Sequence, residues 1–157
     1  MASETNPTFD VGNHEAFMEF ALTQAKKSPP AGNKFCVGAV LVDAAKGRVL
    51  STGAMLFYQD RRRAQPSRCI HEVLPPDTVL YTTMEPCNER LSGNMTCATR
   101  ILRLKGAIKT VYVGIREPGT FIANNDGQER LEAHGVKVVY PVEHWHDRIM
   151  EISMAGH

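Results

Sequence analysis

The sequence has few cysteines, no long apolar run and almost no net charge. Four cysteines among 157 residues are too few for a disulfide framework, and in a reducing compartment spaced cysteines bind metal or stay free. The net charge of +1 gives no overall attraction for nucleic acid or an anionic membrane. No stretch approaches the ~18 apolar residues that a membrane helix needs. We therefore expect neither a disulfide-rich secreted protein nor a membrane protein.

The composition is that of an ordinary globular protein, with 43% hydrophobic and 22% charged residues. Residues 1–11 lack the basic start and apolar core of a secretory leader, so we expect a cytoplasmic protein. The length is typical of one domain, which buries about two-thirds of the surface of its unfolded chain. We expect a single domain over residues 1–157, with a core at 14–140, an atypical segment at 54–77 and a C-terminal tail at 142–157.

The first part of the chain predicts a helix followed by a β-hairpin. Asn13 can cap a helix over residues 14–27, in which apolar side chains recur every four positions. Residues 35–42 are continuously apolar, which predicts a strand buried on both faces. A turn at 43–47 leads into a second strand at 48–52, so these two strands should pair in the antiparallel sense.

Strands and helices alternate in the second part of the chain. Strands are predicted at 78–83, 110–115 and 136–140, helices at 97–105 and 128–134, and a short docking helix in the tail. Such alternation implies parallel strands joined by right-handed crossovers. The whole chain therefore predicts a mixed sheet, antiparallel at its start and parallel later.

The strongest chemical signal is a strand end followed by a proline and a cysteine. Residues 82–87 read Thr-Thr-Met-Glu-Pro-Cys, and Cys97 opens the next predicted helix, whose N-terminus favours a zinc-binding thiolate. Catalytic zinc takes three protein ligands and keeps one position for water, so a third donor is needed. His71 is the nearest candidate upstream, and Glu72 follows it.

These motifs resemble those of the fungal-type deaminases of riboflavin biosynthesis, a branch of the cytidine and deoxycytidylate deaminase superfamily. Residues 80–87 read LYTTMEPC, and RLSGN, a second cysteine and RIL follow by residue 102. The nine residues between Cys87 and Cys97 suit this branch better than the shorter spacing of cytidine and nucleic-acid deaminases. Residues 35–42 and 113–132 are similar as well, so the resemblance covers most of 14–140.

The resemblance implies a fold, a cofactor and a reaction. The fold would be a three-layer α/β/α sandwich around a mixed five-stranded sheet, as in cytidine deaminase. The reaction would be the hydrolytic deamination of 2,5-diamino-6-ribitylamino-4(3H)-pyrimidinone 5'-phosphate, a small phosphorylated pyrimidine, with release of ammonia. Zinc would be held by His71, Cys87 and Cys97. Glu72 would transfer the proton, and Asn33 would hold the substrate. Since related deaminases form dimers or tetramers, we expect a homo-oligomer with no membrane or nucleic-acid partner.

The chain departs from the family pattern at the first zinc motif. The family has His-Ala-Glu at the start of a helix, whereas residues 69–76 read Cys-Ile-His-Glu-Val-Leu-Pro-Pro, which places the glutamate one residue early. The two prolines prevent a regular helix from running from His71 into the next strand. In a second alignment Cys69 is the ligand and His71 stands where the acid belongs. Neither alignment restores the family arrangement.

The altered motif leaves two other hypotheses open. One is a catalytically inactive, deaminase-like module that keeps the fold, with or without the metal, for association or regulation. The other is deamination of a nucleic-acid base, which requires stacking aromatic groups and a basic groove. The net charge of +1 disfavours this second alternative.

Overall fold

The computed structural model describes residues 7–27, 38–54, 75–84, 108–115, 127–141 and 145–153. Within these ranges the helices and strands are α1 (His14–Lys26), β1 (Gly38–Asp43), β2 (Arg48–Ala54), β3 (Thr78–Met84), β4 (Thr110–Ile115), α2 (Gly127–Ala133), β5 (Lys137–Val139) and α3 (His146–Ser153). The helix predicted at 97–105, and residues 35–37 of the first predicted strand, lie outside the described residues. None of the described helices is long and apolar enough to cross a membrane.

The five strands form one mixed sheet in the order β2-β1-β3-β4-β5. β1 is antiparallel to both β2 and β3, whereas β4 is parallel to β3 and to β5. The predicted hairpin and the predicted parallel half are therefore both confirmed. Every residue of β1 and of β3 is buried, as the continuous apolar run at the first strand predicted.

Helices cover the sheet on both faces, which gives the predicted three layers. On one face α1 and α3 enclose a core that includes Phe17, Leu22, Tyr81, Trp145 and Ile149. On the other face lies a second core that includes Leu80, Val111, Val113 and Leu131, the last of them from α2. Each large apolar side chain buried in these cores stabilises the fold by roughly 1.5–3 kcal/mol.

α1 forms as its sequence pattern predicts. The Asn13 side chain accepts a hydrogen bond of 3.1 Å from the Ala16 amide and so caps the first turn. Phe17, Ala21 and Ala25 recur on one face of the helix and are all buried. The same helix also buries a polar residue, Gln24, which the periodicity did not predict.

α1 packs directly on the start of β1 at Gly38. A Cβ added at Gly38 would collide with the Ala21 carbonyl oxygen and lie 2.5 Å from the Ala25 amide nitrogen. Both of these atoms belong to the helix backbone, so no side-chain rotation can make room. Glycine at this position therefore sets the distance between α1 and the sheet.

We expect Gly38→Ala to lower the free energy of unfolding by about 2 to 3 kcal/mol, because the helix and strand must separate to admit the methyl group. Urea denaturation of the two proteins measures the difference. Thr23→Ala, on the exposed face of the same helix, serves as the control and should change stability by less than about 0.5 kcal/mol. Equal stability of Gly38→Ala and the wild type would contradict the close packing.

The C-terminal tail provides the docking helix that was predicted, α3. Arg148 donates two hydrogen bonds to the carboxylate of Glu19 on α1, at 2.8 and 2.6 Å. Its guanidinium also lies 4.9 Å from the centre of the Trp145 ring. The hydrogen bonds from Arg148 hold the pKa of Glu19 below its ordinary value of 4.5.

We expect Glu19→Gln to lower the melting temperature at pH 7 by about 1 to 3 °C, since both charges are partly exposed. A carboxyl whose pKa is lowered by folding stabilises the protein above its ordinary pKa of 4.5, and this contribution is lost as the pH falls through the lowered value. The difference in melting temperature between the wild type and Glu19→Gln should therefore shrink in acid. Melting curves at pH 7 and pH 3.5 check this. Glu129→Gln, at an exposed position of α2, is the control; a difference that persists in acid would contradict the charge pairing.

Candidate metal centre at one edge of the sheet

Three strand ends meet at one edge of the sheet, which we call the site edge. Because β1 is antiparallel to β3 and β4 is parallel to it, Gly38, Met84 and Ile115 all lie there. Cys87 follows Met84 by three residues, and Asn33 precedes Gly38 by five. The segments that carry these two predicted site residues therefore join the sheet at the same edge.

Two buried threonine hydroxyls shape the end of β3 at the site edge. Thr83 Oγ1 accepts a hydrogen bond of 3.1 Å from the Gly38 amide, and Thr82 Oγ1 donates one of 2.8 Å to the Met84 carbonyl oxygen. The backbone pairing of β1 with β3 runs as far as Ala39 opposite Thr82. The Thr83 hydroxyl thus continues the link between the two strands by one further residue.

The first residue of β3, Thr78, lies at the opposite edge of the sheet and follows a tight turn. The Thr78 amide and hydroxyl both donate to the Pro75 carbonyl oxygen, at 3.2 and 2.7 Å. The Ala44 amide donates to the Asp77 carbonyl oxygen at 2.9 Å, which fixes the turn to the β1–β2 hairpin. As the two prolines predicted, this strand is entered from a turn at residues 75–77, with no helix over those residues.

The lengths of the connecting segments limit which residues can share a metal ion. β3 has seven residues and is about 20 Å long. His71 precedes Pro75 by four residues, which span at most about 14 Å, and Cys87 follows Met84 by three, which span at most about 11 Å. These two reaches sum to about 25 Å, which exceeds the length of β3 even before the side chains are counted, so His71 and Cys87 can share a metal ion. Cys69, six residues before Pro75, has a reach of about 21 Å.

The predicted site residues themselves lie outside the described residues; they are Asn33, Cys69, His71, Glu72, Cys87 and Cys97. Within the described ranges, no three histidine, cysteine, aspartate or glutamate side chains come together in a way that could hold a metal ion. One histidine and two cysteines are donors that suit tetrahedral zinc. The donor set predicted from the sequence therefore fits zinc.

A partly buried ring cluster that the sequence did not predict lies at the start of α1. His14 Nδ1 lies 2.6 Å from the Tyr81 hydroxyl, and the His14 ring is 4.4 Å from that of Tyr112. Burial lowers the pKa of His14 and raises the pKa of Tyr81, so both groups are neutral near pH 7. The two hydrogen-bonded residues are 67 positions apart, and no local spacing connects them.

A mixed five-stranded sheet between helices, with a proline-cysteine pair just beyond the end of its central strand, is typical of zinc-dependent deaminases. A family model of the cytidine and deoxycytidylate deaminase zinc-binding region matches residues 11–115. The chain belongs to this family. The zinc-binding family predicted from the sequence is thereby confirmed.

Similarity to individual proteins indicates which branch of the family the chain is related to. The chain is 34% identical over 151 residues to the diaminohydroxyphosphoribosylamino-pyrimidine deaminase of Schizosaccharomyces pombe; this covers 92% of the chain and 36% of the relative, so the chain spans about a third of that protein's length.

Solved structures of the same branch have the same fold. A C-terminal deletion mutant of Rib2 deaminase from Aspergillus oryzae, solved in complex with DARIPP, is 32% identical with a TM-score of 0.75, over 92% of this chain and 91% of that shortened chain. A deaminase and reductase from Thermotoga maritima is 28% identical with a TM-score of 0.67, over 89% of this chain and 39% of that one. The cytidine deaminase-like fold and the riboflavin-biosynthesis branch are both confirmed.

Proposed function

We propose that the protein is a zinc-dependent deaminase that acts on 2,5-diamino-6-ribitylamino-4(3H)-pyrimidinone 5'-phosphate and releases ammonia. The similarity to the Aspergillus Rib2 deaminase, which covers about nine-tenths of both chains, is the observation that carries this proposal. The name of the Schizosaccharomyces relative supports the same substrate class.

We assign the zinc ligands to His71, Cys87 and Cys97, as the family pattern implies. Zinc held there would supply the Lewis acid for hydrolysis at the amino-bearing ring carbon. Glu72 would act as the general base and acid, which takes up a proton and passes it to the departing amino group. Asn33 binds the pyrimidine and orients it.

The described strand ends support this assignment. The segments that contain Asn33 and Cys87 join neighbouring strands, β1 and β3, at the site edge. The proposed substrate-binding residue and the proposed metal ligand are therefore on segments that leave the sheet side by side. The turn at Pro75 lies at the far end of β3, and the four residues from His71 to Pro75 are long enough for His71 to share a metal ion with Cys87. Cys69 is the alternative third ligand, and its connection to Pro75 is two residues longer.

We further propose that the protein is a cytoplasmic homo-oligomer with a small-molecule substrate and no nucleic-acid partner. Residues 1–157 form one domain, with a core at 14–140, an atypical segment at 54–77 and a tail at 142–157. The family model, which matches residues 11–115, supports one deaminase domain. The net charge of +1 supports the absence of a nucleic-acid partner.

An ammonia-release assay tests the proposed reaction. The zinc-loaded protein is incubated with the phosphorylated ribitylaminopyrimidine, with its dephosphorylated form, with dCMP and with single-stranded DNA. We expect ammonia from the phosphorylated pyrimidine and much less from the other three. Ammonia from dCMP or DNA alone, or from none of the four, would contradict the proposal.

A further inference from the structure

The hydrogen bond from the Gly38 amide to Thr83 joins two strand ends whose neighbouring segments have different predicted roles. The start of β1 follows the Asn33 segment, and the end of β3 precedes the Cys87 segment. The bond is buried and 3.1 Å long. A single hydroxyl thus connects the substrate-binding side of the proposed site to its metal-binding side.

We propose that Thr83 is a positioning residue, whose hydroxyl fixes the start of β1, and with it Asn33, relative to the strand that leads to Cys87. This inference rests on the proposed function, because it takes Asn33 as a substrate-binding residue and Cys87 as a zinc ligand. Thr83 itself needs no contact with substrate or zinc.

The Thr83 hydroxyl is the last contact of the start of β1 with β3, and the other restraints act from other directions. The pairing with β2 includes Gly38 and holds it from the opposite side of β1. The backbone of α1 blocks Gly38 on one face of the sheet, at Ala21 and Ala25. The backbone pairing with β3 reaches only as far as Ala39. Without the Thr83 oxygen, the Gly38 amide becomes a buried donor with no acceptor, a state that proteins avoid. The start of β1 is then no longer held to β3, so its position is set by β2 and α1 alone.

The end of β3 has restraints of its own. Thr82 donates to the Met84 carbonyl oxygen, and Met84 pairs with Ile115 on β4. Neither restraint involves Thr83. Loss of the Thr83 hydroxyl should therefore displace the Asn33 side of the site and leave the Cys87 side in place, which means weaker pyrimidine binding with zinc retained.

The same strand offers a matched control. Thr78 is fully buried like Thr83, and its hydroxyl also bonds the backbone, but it does so at the opposite edge of the sheet. Thr78→Val and Thr83→Val thus each remove one buried hydroxyl, from opposite ends of β3, but only the Thr83 hydroxyl links two strands. Thr83→Ser keeps the hydroxyl and removes only a methyl group.

Three quantities are measured on each variant of the full chain: zinc per chain by native mass spectrometry, the Kd of the phosphorylated ribitylaminopyrimidine by calorimetry, and stability in urea. We expect Thr83→Val to keep one zinc and to raise the Kd about tenfold. Thr83→Ser should restore the wild-type Kd. Thr78→Val should bind the pyrimidine normally and lose less stability than Thr83→Val, because the Pro75 carbonyl oxygen keeps its hydrogen bond from the Thr78 amide. If Thr83→Val does not fold, Thr83→Ala is measured in its place with the same expectation.

Two results would overturn the inference. Equal weakening of pyrimidine binding by Thr83→Val and Thr78→Val would show that Thr83 has only a general structural role. Failure of Thr83→Ser to restore the Kd would show that the hydroxyl does not account for the effect on binding. A wild-type chain that binds zinc and pyrimidine without releasing ammonia would contradict the proposed reaction, while the Kd values would still decide the role of Thr83. A folded wild type that binds neither would overturn both.

Discussion

We expect Cys87→Ala to abolish zinc binding and Cys36→Ala to leave one zinc on each chain. Cys87 follows the proline just beyond the end of β3 and is one of two thiolates in the proposed donor set. Residues that merely orient a metal ligand contribute about 10- to 100-fold to metal affinity, so the loss of a ligand must cost more than that. Cys36 lies in the apolar run that leads into β1, where a small buried side chain is expected.

Native mass spectrometry after dialysis against a weak chelator measures this difference. Both variants remove a cysteine within a few residues of a strand, which makes Cys36→Ala a matched control for general loss of stability. Equal loss of zinc from the two variants would contradict the assignment of Cys87. The same measurement on His71→Ala and Cys69→Ala identifies the third ligand: we expect zinc to be lost from His71→Ala and retained by Cys69→Ala.

Glu72→Gln should bind zinc normally and release ammonia about 10²- to 10⁴-fold more slowly, which is the usual cost of removing a positioned general acid or base. Glutamine has nearly the same size as glutamate but cannot carry the proton from water to the departing amino group. Turnover is measured with the zinc-loaded variant under saturating substrate, so that weaker binding does not contribute.

Glu132→Gln, on the exposed side of α2, provides the control for this second experiment and should turn over like the wild type. Unchanged turnover in Glu72→Gln would remove Glu72 from the mechanism. Loss of zinc from that variant would instead indicate that Glu72 supports the metal site.

Much of the fold could be predicted because its signals are local. The Asn13 cap, the four-residue apolar repeat of α1 and the continuous apolar run at β1 each lie within one element, and each is confirmed. The contacts of the segment before α1 were not predicted. Residues 7–9 pair with the start of β2 and the turn before it, with the Phe9 amide donating to the Gly47 carbonyl oxygen at 2.9 Å. Nothing in the composition of that segment indicates this pairing.

Only the part of the candidate site that has a local sequence signal was predicted. The motif around Cys87 is continuous in sequence and could be recognised directly. The convergence of the Asn33 and Cys87 segments depends on the antiparallel pairing of β1 with β3, which joins residues more than 40 positions apart, such as Ala39 and Thr82. The roles of Thr82 and Thr83 were missed because two threonines before a strand end look like ordinary strand residues. Only the bonds they make set them apart.

The zinc content of the wild-type chain tests the central assignment most directly. The protein is dialysed against a weak chelator, and its mass is measured under native conditions together with its circular dichroism. We predict one tightly held zinc on each folded chain. This result requires a third ligand from the segment before Pro75, in addition to Cys87 and Cys97. A folded chain that holds no zinc would contradict the proposed metal centre and, with it, the proposed deaminase activity.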